Sequence, residues 1–203
     1  MAQRADVPTQ LSYAEFLDWC DEDTWAEWVG GEVVMVSPAS MRHQQLVDFL
    51  VQVIGPYVDT HEQGVLLSAP FQMHLPEQER GREPDLLVVS REHQDRLKAT
   101  FLDGPADLVV EIISPESRLR DRGEKYAEYE MAGVREYWLI DPDEERADFF
   151  VLGDDGRYER LRPDEEGIYR STVLDGLWVD VRWFWAEPLP SVIDILRRLS
   201  LIR

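Results

Sequence analysis

One cysteine, Cys20, stands in 203 residues. No intramolecular disulfide can form, and nothing points to an oxidising compartment. No apolar run approaches the about 20 residues that a membrane-spanning helix needs. The opening MAQRADVPTQ lacks the apolar centre of a secretory signal, so a cytoplasmic protein with no membrane partner is expected. Basic residues are scarce too: 21 Lys and Arg face 41 Asp and Glu, a formal net charge of −20. That balance excludes broad electrostatic adhesion to nucleic acid or to anionic lipid. It leaves room for a local basic groove and for an acidic site that takes a divalent cation. Internal repeats, low-complexity tracts and sharp composition breaks are missing, so a single domain over 1–203 is expected. With 44% hydrophobic residues and seven Trp, a substantial core is available and disorder is excluded.

Along the chain, Ser12-Tyr-Ala-Glu15 has capping-box spacing ahead of Phe16, Leu17 and Trp19, so a short amphipathic helix begins near Ser12. Gly30-Gly31 between TWAEWV and EVVMVS reads as a hairpin turn. Period two puts Trp25, Glu27 and Val29 on one face, where a lone carboxylate is unusual. Ser40 caps a helix to about Val58 whose Leu46, Phe49, Leu50, Val53, Ile54 and Tyr57 make a core-facing stripe. His43 stands on that stripe, and Pro56 bends or frays the last turn. Strands are expected over 65–69 and 71–75, a loop over the polar run 77–83, and a polar helix over 91–98. Past Pro142, ADFFVL, RYERL and IYRSTVL alternate with turn signals as an antiparallel tail, closed by a helix over 189–201.

The most informative stretch is 107–142, DLVVEIISPESRLRDRGEKYAEYEMAGVREYWLIDP, which reads as strand, loop, helix, strand. Its first strand carries one carboxylate, Glu111, among Val109, Val110, Ile112 and Ile113. An ionised carboxylate in apolar surroundings is costly unless it is paired or bound to a cation. Asp85 heads a second apolar strand, LLVVS. Two carboxylates brought together by neighbouring strands cannot both stay ionised in a dry site without a cation. Mg²⁺ or Mn²⁺ suits such hard oxygen ligands. Lys125, on the following helix, can supply positive charge to a phosphate or a water.

Four fragments carry a family resemblance: EWVGGEVVMVSPASMRHQ at 27–44, PD at 84–85, VVEIIS at 109–114, and DRGEKYAEYEMAGVREYWLIDP at 121–142. In this order they resemble the Uma-type family of putative restriction endonucleases, within the PD-(D/E)XK nuclease superfamily. The resemblance spans about 11–178 and is weakest after Arg146. It implies an α/β (α+β) fold: a central mixed β-sheet flanked by helices, a restriction-endonuclease-like core over about 11–142, and an antiparallel extension over 143–203. It implies a Mg²⁺- or Mn²⁺-dependent endonuclease acting on DNA as a homodimer. Asp85, Glu111 and the Ile112 main-chain carbonyl would hold the metal. The superfamily expects a lysine two positions after the second acid, where this chain has Ile113. The Uma-type resemblance moves that role to Lys125. Glu27 resembles an acid that completes the metal shell or partners the lysine, and His43 matches a family histidine as an accessory residue without a derivable role.

Each residue has a plainer reading. Asp85 after Pro84 can simply open a strand. Glu111 can pair with Arg118 or Arg122 in a structural salt bridge. Lys125 can form an exposed helix pair with Asp121, and Glu27 can pair with a cation such as Arg42. Tyr126, Tyr129, Tyr137 and Trp138 read as core or dimer contacts. Two other functions compete with a nuclease: an inactive binding or scaffold module, motivated by the charge and by Ile113, and a glycoside hydrolase using Asp85 and Glu111 without metal.

Overall fold

A computed structural model describes residues 7–21, 24–114, 118 and 120–203. Helix α1 (Tyr13–Trp19) starts on its capping box: Ser12 Oγ accepts the Glu15 N–H at 3.3 Å, and Glu15 Oε2 accepts the Ser12 N–H at 2.8 Å. Strands β1 (Ala26–Val29) and β2 (Glu32–Met35) form the hairpin, with Gly30 and Gly31 at φ of 55° and 94°. Side chains with a Cβ resist that conformation. Helix α2 (Met41–Thr60) is capped by Ser40, runs through Pro56, and buries Leu46, Leu50, Val53 and Ile54 completely.

Strands β3 (Gly64–Ser68), β4 (Gln72–Leu75), β5 (Arg80–Arg82), β6 (Leu86–Ser90), β7 (Phe101–Asp103) and β8 (Leu108–Ile112) follow. A π-helical turn, Arg120–Lys125, leads into α3 (Tyr126–Ala132). Then come β9 (Glu136–Asp141), β10 (Arg146–Leu152), β11 (Tyr158–Leu161), β12 (Ile168–Arg170), β13 (Trp178–Asp180) and α4 (Val192–Arg198).

The fold is mixed α/β, with helices flanking mixed sheets. The larger sheet has the order β11-β10-β9-β8-β6-β3, with β8 and β9 parallel and the other pairs antiparallel. A second sheet, β2-β1-β5-β4-β7, is antiparallel except for β4 with β7. Alternation along β6 and β8 builds two cores. Leu86, Val88, Leu108, Val110 and Ile112 meet α2 and α4 on one side. Leu87, Val89, Val109 and Ile113 meet Met73, Leu102 and Tyr129, from the second sheet and α3, on the other. The same alternation sends Asp85 and Glu111 to this second side.

Three local expectations are revised. The polar run 77–83 is not all loop: after a 3-10 turn at Pro76–Gln78 it enters β5, which pairs with both β1 and β4. The segment after β6 is a 3-10 helix, Arg91–Arg96. The tail past Pro142 is antiparallel as expected, with β10 and β11 extending the larger sheet, but of IYRSTVL only β12 is extended, paired with β13. That tail is pinned by the fully buried Glu136, whose Oε2 accepts from Ser171 Oγ, Thr172 N, Thr172 Oγ1 and Val173 N at 2.8–2.9 Å. Among the described residues no helix is long and apolar enough to cross a membrane.

Candidate active site

Strand β1, the residues leading into β6, the end of β8 and the π-helical turn meet around a cavity of about 430 Å³. Five carboxylates line it, Glu27, Glu83, Asp85, Glu111 and Asp121, with the cations Arg120 and Lys125. All four acidic and basic residues singled out in the sequence therefore share one cavity, and His43 and Ile112 line it too.

Register explains the first pair. Leu86 lies opposite Val110, so the residue just before β6 falls opposite Glu111. Asp85 Oδ2 accepts the Ile112 N–H at 2.6 Å and lies 3.1 Å from His43 Nε2. The N–H and C=O of one strand residue point to the same side, so the Ile112 carbonyl also faces the Asp85 side. His43 thus acquires a structural account: from the first turn of α2 it buttresses Asp85. Burial would lower the His43 pKa, but the Asp85 hydrogen bond and charge, with Glu111 and Asp121 behind them, raise it.

Glu111 is buried, and its Oε1 accepts from Lys125 Nζ and from Tyr129 OH, each at 2.8 Å. Burial pushes its carboxyl up to about 8; Lys125 opposes the shift, while Asp121 and Asp85 add to it. Lys125 Nζ also lies 3.2 Å from Glu27 Oε1 and 3.5 Å from Asp121 Oδ1. Burial disfavours the ammonium, yet Glu111, Glu27 and Asp121 outweigh it and keep the lysine charged. Ile113 is buried in the core with Tyr129 and Tyr137.

Glu27 is engaged on both oxygens. Arg82 Nη1 donates to Oε2 at 2.7 Å, Arg120 approaches the same oxygen to 3.9 Å, and Lys125 faces Oε1. Burial alone would raise its pKa; Lys125, Arg82 and Arg120 reverse that and hold the carboxyl at about 2. Arg82, only 1% exposed, also forms a bidentate pair with Glu128, Nε to Oε2 at 2.8 Å and Nη2 to Oε1 at 2.9 Å.

Two of the plainer pairings find other partners. Arg118 and Arg122 bind Asp141 and Asp148, not Glu111. Arg42 donates to the Phe184 and Ala186 carbonyls, not to Glu27. The Asp121–Lys125 pair exists but is buried. Tyr129, Tyr137 and Trp138 are fully buried core residues, as anticipated, but Tyr129 also bonds Glu111. Sequence reasoning missed Arg82, Glu83 and Asp121. The one available signal was the placement of Asp121 four residues before Lys125.

A divalent cation fits the donor chemistry. The donors are hard oxygens, carboxylates outnumber the lining cations, and Asp121 Oδ1 is buried with no hydrogen-bond partner among the described residues. Among the described residues, the group of three whose ligand atoms all lie within 4.8 Å of one another is a different one, Glu92, His93 and Asp107. It lies at the opposite end of β8, and Arg135 already sits 3.0 Å from Glu92 and 3.5 Å from Asp107.

A family model described as Uma2, putative restriction endonuclease, matches residues 13–182. Among curated proteins none matches. The fold is similar to the crystal structure of a putative nuclease belonging to DUF820 from Anabaena variabilis. That similarity has a TM-score of 0.70 at 19% identity, over 86% of this chain and 97% of the other.

Proposed function

The chain belongs to the Uma2 family of putative restriction endonucleases, and from that premise we propose that it hydrolyses phosphodiester bonds of DNA with a divalent metal, Mg²⁺ or Mn²⁺. Asp85, Glu111 and the Ile112 carbonyl would hold the cation. Bound there, the cation would supply Lewis-acid activation of a water and charge neutralisation at the phosphate. Lys125 would orient the attacking water or stabilise the charge that develops on the phosphate. Glu27 would fix Lys125, with Arg82 fixing Glu27 in turn, and His43 would hold Asp85. The observation that carries this reading is the Lys125 ammonium 2.8 Å from Glu111 and 3.2 Å from Glu27, while Ile113 occupies the place of the usual lysine.

The test is Mg²⁺- or Mn²⁺-dependent nicking of supercoiled DNA by the parent and by Asp85→Asn and Glu111→Gln. Both variants should lose nicking while keeping their fold by circular dichroism. Parent-like nicking by both would refute the mechanism. A second reading, an inactive scaffold, draws support from the closed ion pairs around Lys125 and the net charge of −20. Calorimetric titration with Mn²⁺ separates the two, since a scaffold has no need to bind the ion at Asp85 and Glu111.

A further inference from the structure

We propose that Asp121 is a direct ligand of the divalent cation, so that the metal shell contains Asp85, Glu111 and Asp121, while Glu27 serves the lysine alone. This rests on the metal-dependent reading above. Glu27 is a poor candidate ligand because Arg82, Arg120 and Lys125 occupy both its oxygens. Glu83 is held by Gln72 Nε2 at 2.7 Å. Asp121 differs. It is 1% exposed, it lines the cavity, and its Oδ1 has no hydrogen-bond partner among the described residues. Among the described residues its one ion contact, with Lys125, is 3.5 Å long, against 2.8 Å for Glu111 and 3.2 Å for Glu27. A buried carboxylate oxygen left so weakly satisfied needs a compensating charge.

Backbone geometry and charge agree. The turn Arg120–Lys125 is π-helical, a rare form often found at functional sites. The turn is wider than an α-helical one, and Arg120, Asp121 and Lys125 all line the cavity. The lining holds five acidic side chains against two basic ones, Arg120 and Lys125, an excess that favours a bound cation.

The experiment is a calorimetric titration of the whole protein with Mn²⁺, beside thermal melts with and without the ion. Asp121→Asn should melt near the parent without metal, bind Mn²⁺ tenfold or more weakly, and lose most of the Mn²⁺-induced rise in Tm. Asp121→Ser carries the same expectation if the asparagine variant does not fold. Lys125→Gln, which removes the competing ammonium, should bind Mn²⁺ at least as tightly as the parent. Asp121→Asn binding Mn²⁺ like the parent while Asp85→Asn does not would overturn this proposal and leave the metal reading intact. Equal weakening in Asp121→Asn and Lys125→Gln would reduce Asp121 to a support for the lysine and overturn it as well. A parent that does not bind Mn²⁺ sinks the metal reading and this inference together.

Discussion

The ammonium of Lys125 reaches Glu111 at 2.8 Å from fourteen residues away, over a position where Ile113 is packed into the core. A group on the helix therefore stands where a strand neighbour would be expected. If Lys125 acts on charge that develops during the reaction, Lys125→Met should reduce turnover by roughly 10²–10³-fold. KM for DNA should change little, because a side chain only 4% exposed cannot act as a docking surface. Single-turnover nicking at saturating DNA measures this; a rise in KM with turnover unchanged would place Lys125 in binding instead.

Arg82 anchors the support of that lysine, with Glu27 on one side and Glu128 on the other. Removing one member of a buried ion network leaves the others uncompensated, at a cost of about 3–5 kcal/mol. Arg82→Met should lower stability to urea by that order. The Arg82→Met, Glu27→Gln double variant should be less destabilised than the sum of the singles. Additive losses would mean the two residues are not coupled.

The local elements were legible because their signals are local. Ser12 with Glu15, Gly30-Gly31 and the α2 stripe each sit within a few residues of what they determine. Glu111 was legible for a different reason, as a polar residue with an apolar surrounding to explain. Arg82 was not, because RGR looks like a solvated loop, and its burial comes from Glu27 and Glu128, 55 and 46 residues away. Asp121 was hidden likewise: its spacing to Lys125 suits an exposed helix pair, whereas in the fold both lie on a π-helical turn that lines the cavity.

The low pKa of Glu27 ties stability to acid. Its carboxyl sits at about 2 in the fold against an ordinary 4.5. Between those values the unfolded chain binds more protons than the folded one, so stability rises with pH there and is lost as pH falls from about 4.5 to about 2. The shift corresponds to something on the order of 3 kcal/mol. Denaturation between pH 3 and 5 should show a shallower pH slope in Glu27→Gln than in the parent. Glu83 works the other way: burial foremost, with the Glu27 charge adding, raises it to about 7, against the Gln72 hydrogen bond and Lys125. Its contribution is full below about 4.5 and is lost as pH rises through about 7, so Glu83→Gln should flatten the neutral limb of the same profile.

Glu136 tests whether the tail is separable from the site. Its carboxylate is fully buried, pairs with no cation among the described residues, and instead collects Trp138 Nε1 and Tyr169 OH on Oε1 and the Ser171–Val173 donors on Oε2. Hydrogen bonds to a charged acceptor contribute about 1.5–3 kcal/mol each, and they fail together when the acceptor goes. Glu136→Ala should therefore release the turn after β12, seen as faster amide exchange at Thr172 and Val173, with a stability loss of several kcal/mol by the same reckoning. Asp85, Glu111 and Lys125 lie at the other end of β8 and β9, since Glu136 pairs with Leu108 at the strand starts. Mn²⁺ affinity at a temperature where the variant is folded should therefore match that of the parent. A weakened metal site in folded Glu136→Ala would show that the extension sets the geometry of the cavity.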